Sequence, residues 1–200
     1  IVLDENNVAD GEVPDYEKIN YQLSNDGTYY TVTGLKSGYS KTDITIAKIA
    51  KAYKGIPVKS IGSSAFQNCT GLTSVTIPSS VTTIWNYAFS GSGITEITIP
   101  KSVNGGNTGN YENGPFSGCN SLTKVTFEDG TENIYDSILA GCKSVTEIVI
   151  PDSVKTIGRH AFYNCKGLAN ITLPSSIKTI ESYAFYGCSN LSTVNYRGSS

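Results

Sequence analysis

The sequence SIGSSAFQNCTGLTSVTIPSS occupies residues 60–80, and a near copy, TIGRHAFYNCKGLANITLPSS, occupies residues 156–176. Both copies keep an Ile, an Ala-Phe pair, a Cys, a Leu and an Ile-Pro or Leu-Pro pair, while most positions between these differ and are polar. The kept positions are apolar or restrict the backbone, as expected of side chains that build a scaffold. The stretch therefore predicts an architecture more directly than a chemistry.

The same pattern runs through most of the chain, and its period is measured at the second residue of the Ala-Phe pair. Successive anchors lie 23 residues apart, except for one interval of 27 residues that contains the insertion NGGNTGNYENGP (104–115). Six copies with such a period are typical of a solenoid, in which each copy packs on its neighbours. We expect the insertion to protrude as a loop. The six anchors are Phe66, Phe89, Phe116, Leu139, Phe162 and Phe185.

Each copy contains a run such as LTSVTI, in which apolar and polar residues alternate. This alternation predicts a β-strand with one buried face, and the Pro that follows most of these runs lacks the N–H that would continue the ladder. A second apolar pair, such as Val81 and Ile84, leads into the Ala-Phe turn, which is too short for more than one or two helical turns. The predicted strands are Leu72–Ile77, Ile94–Ile99, Leu122–Phe127, Val145–Ile150, Leu168–Leu173 and Leu191–Tyr196.

The N-terminal part differs from the repeats. The segment YQLSNDGTYYTVTGL has a two-strand pattern around Asp26-Gly27, a favoured hairpin turn, and we expect this hairpin to cover the open end of the first copy. TDITIA (Thr42–Ala47) has the pattern of a degenerate extra strand. We therefore divide the chain into an acidic N-terminal extension (1–20), a capping region (21–57) and six repeats (58–200) with the insertion near 104–115.

The motif L-x-x-V/I-x-I-P-x-S-V-x-x-I-x-x-x-A-F-x-x-C closely resembles the BspA-type leucine-rich repeats of bacterial surface proteins, over about Val58 to Tyr196. This resemblance implies a leucine-rich-repeat solenoid: a right-handed superhelix with a parallel β-sheet on its concave side and short β, 3₁₀ or helical turns on its convex side. It also implies an extracellular or cell-surface location, and adhesion to a protein or glycan partner on a host or neighbouring cell. The solenoid is supported by spacing as well, whereas adhesion is implied by the resemblance alone.

Three departures from the motif stand out. The fourth copy has Ile138-Leu139 in place of Ala-Phe, and Tyr135 in a slot often held by Gly. The second copy has Gly91-Ser92-Gly93 where others carry Cys, and is one residue shorter there. The sixth copy ends in VNYRGSS without a capping repeat, so we expect either that the natural chain continues past Ser200 or that something else covers this edge.

Composition excludes several classes of function. A net charge of −2 with 16% charged residues does not provide the excess of basic residues that nucleic-acid-binding proteins use. No apolar run approaches the roughly 18 residues of a membrane-spanning helix, and the acidic first 20 residues lack the apolar segment of a signal peptide. Because the chain begins at Ile1 and contains no Met, we expect it to be a processed or trimmed piece, in which a missing signal says nothing about export.

The five cysteines share one position, three residues after an anchor. This common phase predicts a column of reduced thiols that face the core, where Cys behaves as a small hydrophobe. Neighbouring copies about 4.8 Å apart are close enough for disulfides, so distance alone does not exclude bridges. A metal site is not expected, since the chain has no C-x-x-C pair, and no cofactor is predicted. The cysteines are Cys69, Cys119, Cys142, Cys165 and Cys188.

No enzyme is predicted, and no residue is assigned a catalytic role. His160, the single His, would need a nucleophile and an orienting carboxylate beside it, but we expect it to face outward while Cys165 faces the core. Glu96 and Glu147 occupy equivalent strand slots and are separated by the copy that carries Lys124. That pattern is closer to charge compensation than to an acid–base pair.

Two surfaces are candidate binding sites. The outward residues of the predicted strands, here called the strand face, form a hydroxyl-rich platform for a protein or glycan, although β-propensity alone also favours Thr there. Asn110 and Tyr111 of the insertion are expected at its rim. Four aromatic residues of adjacent copies, here called the aromatic quartet, form the second candidate; shielding of the loops would equally explain them. The strand face comprises Ser74, Thr76, Glu96, Thr98, Lys124, Thr126, Glu147, Asn170 and Thr172; the quartet comprises His160, Tyr163, Tyr183 and Tyr186.

The most direct functional prediction is an extracellular module that binds a partner. The alternative from another class is a structural spacer that carries a separate functional domain outside this chain.

Overall fold

The computed structural model describes residues 15–106 and 114–198. Its elements are short and mostly strands. In chain order they are α1 (Asp15–Lys18), β1 (Ile19–Leu23), β2 (Tyr30–Leu35), β3 (Ile46–Lys48), β4 (Ala52–Tyr53), β5 (Ile56–Ile61), β6 (Ser74–Thr76), β7 (Thr83–Ile84), β8 (Glu96–Ile99), β9 (Lys124–Phe127), β10 (Asn133–Ile134), β11 (Glu147–Val149), β12 (Thr156–Ile157), β13 (Asn170–Pro174), β14 (Thr179–Ile180) and β15 (Thr193–Arg197).

One strand from each copy builds the first wall of the stack, and β3 precedes them. These strands pair in parallel within three small sheets, β3–β6, β8–β9–β11 and β13–β15. The register is that of equivalent residues in successive copies, so that Lys124 lies opposite both Glu96 and Glu147. The shared spacing of the copies therefore determines which side chains become neighbours.

The strands differ from the prediction in two respects. They begin about two residues later than expected, because the Leu72 N–H donates to the Cys69 carbonyl at 3.0 Å and still belongs to the turn. The expectation of a single parallel sheet is wrong for the described residues, since no ladder joins β6 to β8 or β11 to β13. At the first gap the second copy has one residue fewer in its turn, and the bond from the Thr95 N–H to the Thr73 carbonyl, at 3.3 Å, is long.

A second wall is formed by the short apolar pairs that precede each Ala-Phe turn. β2, β5 and β7 pair in parallel, a single parallel bridge joins Thr83 to Gly105, and β10, β12 and β14 form another parallel group. The short β segments expected in this part of each copy are therefore present. The apolar side chains of both walls pack into one continuous core.

Stacked aromatic rings run through that core. The rings of Phe66 and Phe89 lie 5.3 Å apart and are nearly parallel, and Phe162 and Phe185 lie 5.2 Å apart at a steeper tilt. In the fourth copy Leu139 fills the same position and is fully buried. Each Phe thus buries its ring against equivalent residues of the adjacent copies, which gives stabilisation that a single copy lacks.

The Ser of the P-x-S-V part of the motif has a specific role between copies. The hydroxyls of Ser102, Ser153 and Ser176 each donate to a backbone carbonyl of the preceding copy, at 2.6 to 2.7 Å. These bonds satisfy carbonyls at the bend between the two walls, where no ladder partner is present. A hydroxyl at this position therefore ties these three copies to the ones before them, whereas the hydroxyl of the equivalent Ser80 has no partner within the described residues.

The N-terminal hairpin is confirmed. β1 and β2 are antiparallel, and Asp26 in the connecting loop accepts hydrogen bonds from the Ser24 hydroxyl and the Thr28 N–H, at 2.6 and 3.1 Å. Ile19 and Val32 are fully buried, and β2 pairs with β5, so the hairpin extends the second wall. The extra strand expected at Thr42–Ala47 is β3, slightly later in the chain, and α1 lies against it.

Candidate functional site

All nine residues of the predicted strand face alternate with buried residues along their strands. Ser74 and Thr76 flank the buried Val75, and Glu96 and Thr98 precede and follow the buried Ile97 in the same way. The exposed members are Ser74, Thr76, Glu96, Thr98, Glu147 and Asn170; the half-buried members are Lys124, Thr126 and Thr172.

The threonines of this wall divide into two sets. The hydroxyls of Thr123 and Thr146 donate to a backbone carbonyl of the preceding copy at 3.4 Å, and that of Thr73 donates to the Thr45 carbonyl of the capping region at 3.2 Å, so they hold neighbouring turns together. Within the described residues, the hydroxyls of the second set have no hydrogen-bond partner in the protein, and these hydroxyls are available to solvent or a ligand. This set comprises Thr76, Thr98, Thr126 and Thr172.

The gap between β6 and β8 opens a shallow depression of about 380 Å³ within the strand face. Polar groups line much of it, including two carboxylates, and apolar strand residues form its floor. One of the carboxylates, Glu128, accepts a hydrogen bond from the Lys101 N–H at 2.9 Å. The depression is therefore a polar recess with several unpaired hydroxyls. Its polar lining residues are Ser74, Thr76, Ser79, Glu96, Thr98, Thr126 and Glu128.

The charges of the strand face are partly compensated. The Lys124 ammonium lies 3.0 Å from a Glu147 carboxylate oxygen, and both side chains are about half exposed. Glu96 is on the other side of Lys124 in the ladder, and no ion pair to Glu96 occurs among the described residues. Solvent screening makes an exposed pair of this kind worth little for stability. The Glu96 carboxylate remains available to a ligand.

The four residues of the aromatic quartet come together as expected. His160 stacks on Tyr183 with ring centroids 5.0 Å apart, and Tyr163 stacks on Tyr186 at 5.4 Å. Contacts of 5.3 Å between His160 and Tyr163 and 5.6 Å between Tyr183 and Tyr186 close the group. Tyr183 and Tyr186 are 59% and 58% exposed, whereas His160 and Tyr163 are half-buried.

The backbone holds part of this quartet in an unfavourable conformation. His160 and Tyr183 have φ of +55° and +60°, as do the equivalent residues Ser64, Tyr87 and Ser137, with φ of +58° to +59°. The left-handed conformation costs a non-glycine residue roughly 1–2 kcal/mol. The same conformation occurs directly before the anchor pair in five of the six copies, so it is a property of the turn and not of the quartet alone.

The column of cysteines is confirmed, with one difference. All five thiols are free, and Cys188 is only half-buried while the other four are buried. Burial raises the pKa of Cys69 and of Cys119, and raises the pKa of Cys142 well above its usual range, so these thiols stay protonated at neutral pH.

The thiols also donate hydrogen bonds, which the sequence pattern did not reveal. Cys119 donates to the Phe89 carbonyl at 3.0 Å, and Cys188 donates to the Phe162 carbonyl at 3.0 Å. Cys142 and Cys165 make the same bond to the anchor of the preceding copy. Four of the five thiols therefore link a turn to the anchor of the preceding copy, and Cys combines the small size and weak donor that suit this slot.

The arrangement gives no support to a catalytic assignment. His160 lies in the aromatic quartet on the outside of its turn. The thiol of the buried Cys165 instead donates a hydrogen bond to the Leu139 carbonyl at 3.3 Å. Within residues 15–106 and 114–198, no group of three or more His, Cys, Asp and Glu residues is placed to hold a metal ion. In the same ranges, no helix has the length and apolar character needed to cross a membrane.

A second depression, of about 600 Å³, was not expected from the sequence. It lies where the second wall is interrupted after Gly105, and Asp136, Arg159 and Glu181 contribute charged groups to it. The insertion was the available signal, because it separates the two halves of this wall in sequence. Asn110 and Tyr111, the predicted rim residues, lie outside the described residues.

Comparisons with known proteins agree with the architecture. The sequence matches the family described as BspA type Leucine rich repeat region in six copies, over residues 39–109 and 109–200. No curated protein sequence matches the chain at a significant level.

Three solved structures show the same fold. A leucine-rich repeat protein of T. pallidum is 25% identical, with a TM-score of 0.52, and the match covers 88% of this chain and 68% of that one. A leucine rich cell surface protein of Faecalibacterium prausnitzii is 24% identical, with a TM-score of 0.58 and coverages of 92% and 54%. A leucine-rich repeat protein of Eubacterium ventriosum is 28% identical, with a TM-score of 0.50 and coverages of 90% and 51%. The chain thus spans between half and two-thirds of the length of these relatives.

Proposed function

Because the chain belongs to the BspA-type leucine-rich repeat family, we propose that it is a non-enzymatic, extracellular or cell-surface module that binds a protein or glycan partner on a host or neighbouring cell. Leucine-rich repeat modules generally act through protein interactions, and the repeats here build an extended surface. The partner class and the location follow from the family resemblance. The described side chains support the choice of contact surface.

The contact surface in this proposal is the strand face, which forms the concave side of a right-handed superhelix. The parallel pairing of equivalent strands in successive copies supports this arrangement. So does the contact of β6 with β8 and of β11 with β13, which keeps the three small sheets side by side although their ladders are interrupted. The rim position expected for Asn110 and Tyr111 of the insertion stays a prediction, because these residues lie outside the described part of the chain.

One observation carries the choice of the strand face. Thr98 and Thr126 are partners in the ladder, and neither hydroxyl is used inside the described protein, whereas the hydroxyls one position before β6, β9 and β11 bond to backbone carbonyls of the preceding turn. β-propensity explains the presence of Thr in both sets, but it does not explain a recess lined with unpaired hydroxyls and carboxylates. Such a recess suits a ligand rich in hydrogen-bonding groups.

The aromatic quartet is the second contact surface to consider. Its four rings touch one another, and two of them are more than half exposed. Aromatic anchors typically contribute more binding energy per residue than Thr or Ser does. It is smaller than the strand face, which is why we place it second. A spacer that carries a separate domain outside this chain would use neither surface.

Two double variants separate these surfaces. Glu96→Lys with Glu147→Lys reverses the charge of the strand face, and Tyr163→Ser with Tyr186→Ser removes half of the quartet. Binding of the wild type and both variants is measured against a panel of host matrix proteins and glycans. Loss of binding in the carboxylate variant alone supports the strand face, and loss in the tyrosine variant alone moves the site to the quartet. No binding by the wild type at any concentration supports the spacer.

A further inference from the structure

The capping region concentrates positive charge in one stretch of the chain. No Asp or Glu occurs between Asp43 and Glu96, and the charged residues in that interval are four lysines, here called the lysine cluster. All four side chains are exposed. Because the whole chain has a net charge of −2, this positive charge is a local feature. The cluster comprises Lys48, Lys51, Lys54 and Lys59.

The ammonium groups of the cluster have no counter-charge within the described residues. In the later copies, exposed cations pair with carboxylates: Lys124 lies 3.0 Å from Glu147, and Lys155 lies 2.7 Å from Glu132. No ion pair of this kind involves the lysine cluster in residues 15–106 and 114–198. Like charges at neighbouring positions repel one another, and this repulsion opposes folding. Binding of an anion would offset that loss of stability.

A hairpin brings the four lysines close together. β4 pairs antiparallel with β5, and the Val58 N–H donates to the Lys51 carbonyl at 3.0 Å. Lys59 directly follows Val58, so it lies close to Lys51 across the hairpin. Lys48 and Lys54 are each three residues from Lys51 along the chain, which limits each Cα–Cα distance to about 11 Å. The four ammonium groups, on long flexible stems, are therefore within reach of one anionic chain.

The hairpin that carries the cluster is fixed in place. β5 also pairs with β2 and β7 of the second wall. The Tyr53 ring stacks on Tyr21 at 4.6 Å and meets Tyr30 edge-on at 5.1 Å. The Lys54 ammonium lies 5.5 Å from the centroid of the Tyr53 ring, and Lys54 has φ of +50°, in the region that favours Gly, Asn and Asp. Lysines on a fixed hairpin lose less conformational entropy on binding than lysines on a flexible segment do.

The cluster meets the strand face at Lys48. In the β3–β6 ladder, Lys48 lies opposite Thr76, whose hydroxyl has no hydrogen-bond partner within the described residues. An anionic polysaccharide carries both groups that this junction would bind, since its anions suit the lysines and its hydroxyls suit Thr76. A lipid surface fits less well, because a basic patch anchors stably only together with an apolar or lipid anchor, and Ile46 is the one exposed large apolar residue in β3, β4 and β5.

We propose that the lysine cluster binds an anionic polysaccharide, at a site separate from the partner site of the strand face. The ammonium groups pair with sulfate or carboxylate groups of the polysaccharide, and Lys48 places the chain beside the hydroxyls of β6. Ammonium groups on flexible stems act as point charges and impose little geometry. Affinity therefore follows the charge density of the polysaccharide and not its sugar sequence.

Fluorescence anisotropy with a labelled heparin octasaccharide as the probe tests the proposal. The wild type should bind the probe, with an affinity that falls at least about tenfold between about 50 and 200 mM NaCl, because several ion pairs are involved. The variant Lys48→Gln, Lys51→Gln, Lys54→Gln, Lys59→Gln should bind at least about tenfold more weakly. No binding by the wild type at the lower salt concentration, or binding that salt does not weaken, overturns the proposal.

The matched control replaces four exposed lysines of the repeats by Gln and changes the net charge by the same amount. It should lose less than about twofold in affinity, with the urea unfolding midpoint of both variants equal to that of the wild type. Equal losses in the two variants show that overall charge holds the probe, and overturn the proposal. The control is Lys101→Gln, Lys143→Gln, Lys166→Gln, Lys178→Gln.

Backbone amide chemical shifts of the wild type locate the contact without any substitution. The largest changes on adding the octasaccharide should fall within residues 48–59, and largest changes elsewhere overturn the proposal.

Other occupants of the cluster are outcomes of the same measurement. Residues 4–12 contain four carboxylates, so binding that appears only in Asp4→Asn, Glu5→Gln, Asp10→Asn, Glu12→Gln assigns the cluster to an acidic segment of the same chain. Tighter binding to vesicles of phosphatidylserine and phosphatidylcholine, or to duplex DNA, assigns it to a membrane or a nucleic acid. Each of these results overturns the proposal, and wild-type binding of the octasaccharide that exceeds both supports it.

Discussion

The ring of Phe89 stacks on the ring of Phe116 with centroids 5.2 Å apart and planes 3° from parallel, although 27 residues rather than 23 separate them in the sequence. The preceding pair, Phe66 and Phe89, has almost the same spacing, at 5.3 Å. The insertion therefore does not change the distance between copies in the core.

Gly106 is the last described residue before the insertion's residues 107–113, and its conformation predicts that it is sensitive to substitution. Gly106 has φ of +147°, and a Cβ there would overlap the Ile84 carbonyl oxygen. We expect Gly106→Ala to lower the free energy of unfolding by roughly 3 kcal/mol, through backbone strain and steric overlap. Gly105→Ala is the control, because no atom lies within 4 Å of its Cβ position, and it should change stability by about 0.5 kcal/mol or less. Equal effects in urea denaturation would contradict this account of the insertion.

Ser137 offers the opposite case, a site at which substitution should stabilise. Its φ is +58° and its buried hydroxyl has no hydrogen-bond partner within the described residues. Ser137→Gly removes both the backbone strain and the unpartnered hydroxyl. Because Gly also raises the entropy of the unfolded chain, we expect the free energy of unfolding to rise by only about 1 kcal/mol.

The control for Ser137→Gly is Ser64→Gly. Ser64 has the same φ but an exposed side chain, so the relief of backbone strain and the entropy of Gly should nearly cancel. Urea unfolding midpoints measure both changes. If Ser137→Gly destabilises the protein, the hydroxyl has a role that the described contacts do not include.

The cysteines should react at two rates. Cys188 is half-buried, whereas the other four thiols are buried, so a disulfide reagent should modify one thiol quickly and four slowly in the native protein. Denaturation should make all five react at once. Cys188→Ser should remove the fast phase only. Fewer than five reactive thiols after denaturation without reductant would reveal disulfides and contradict the reduced column.

The stacking of the copies could be predicted from the sequence because the 23-residue period depends on apolar positions within each copy. The Phe anchors, the hairpin at Asp26-Gly27 and the outward alternation of Thr76 and Thr98 all follow from spacing within one copy. What the pattern did not predict depends on contacts between copies. The break between β6 and β8, the donation of the Cys119 thiol to the Phe89 carbonyl and the division of threonines into engaged and unengaged sets require the distances between neighbouring turns.

The candidate site was predictable to a similar extent. Period-two alternation was enough to place all nine residues on one side of their strands, and the 23-residue period brought His160 next to Tyr183. The depression near Glu96 was not predictable, since it lies where the ladder between β6 and β8 is interrupted, and the pattern within one copy does not show which ladders form. The shape of the second depression, near Asp136 and Arg159, depends on how the second wall is interrupted, although the insertion indicated where that interruption lies.

The most direct test of the central claim is the affinity of Thr98→Arg for a ligand that the wild type binds, measured beside Asn133→Arg. Thr98 lies in the recess of the strand face, and Asn133 is an exposed residue of β10 in the second wall. An arginine at position 98 fills the recess with a long charged side chain, so we predict a loss of affinity of at least tenfold, with no change for Asn133→Arg and equal unfolding midpoints for both. Unchanged affinity in Thr98→Arg, or an equal loss in Asn133→Arg, would contradict the claim that the strand face is the binding surface.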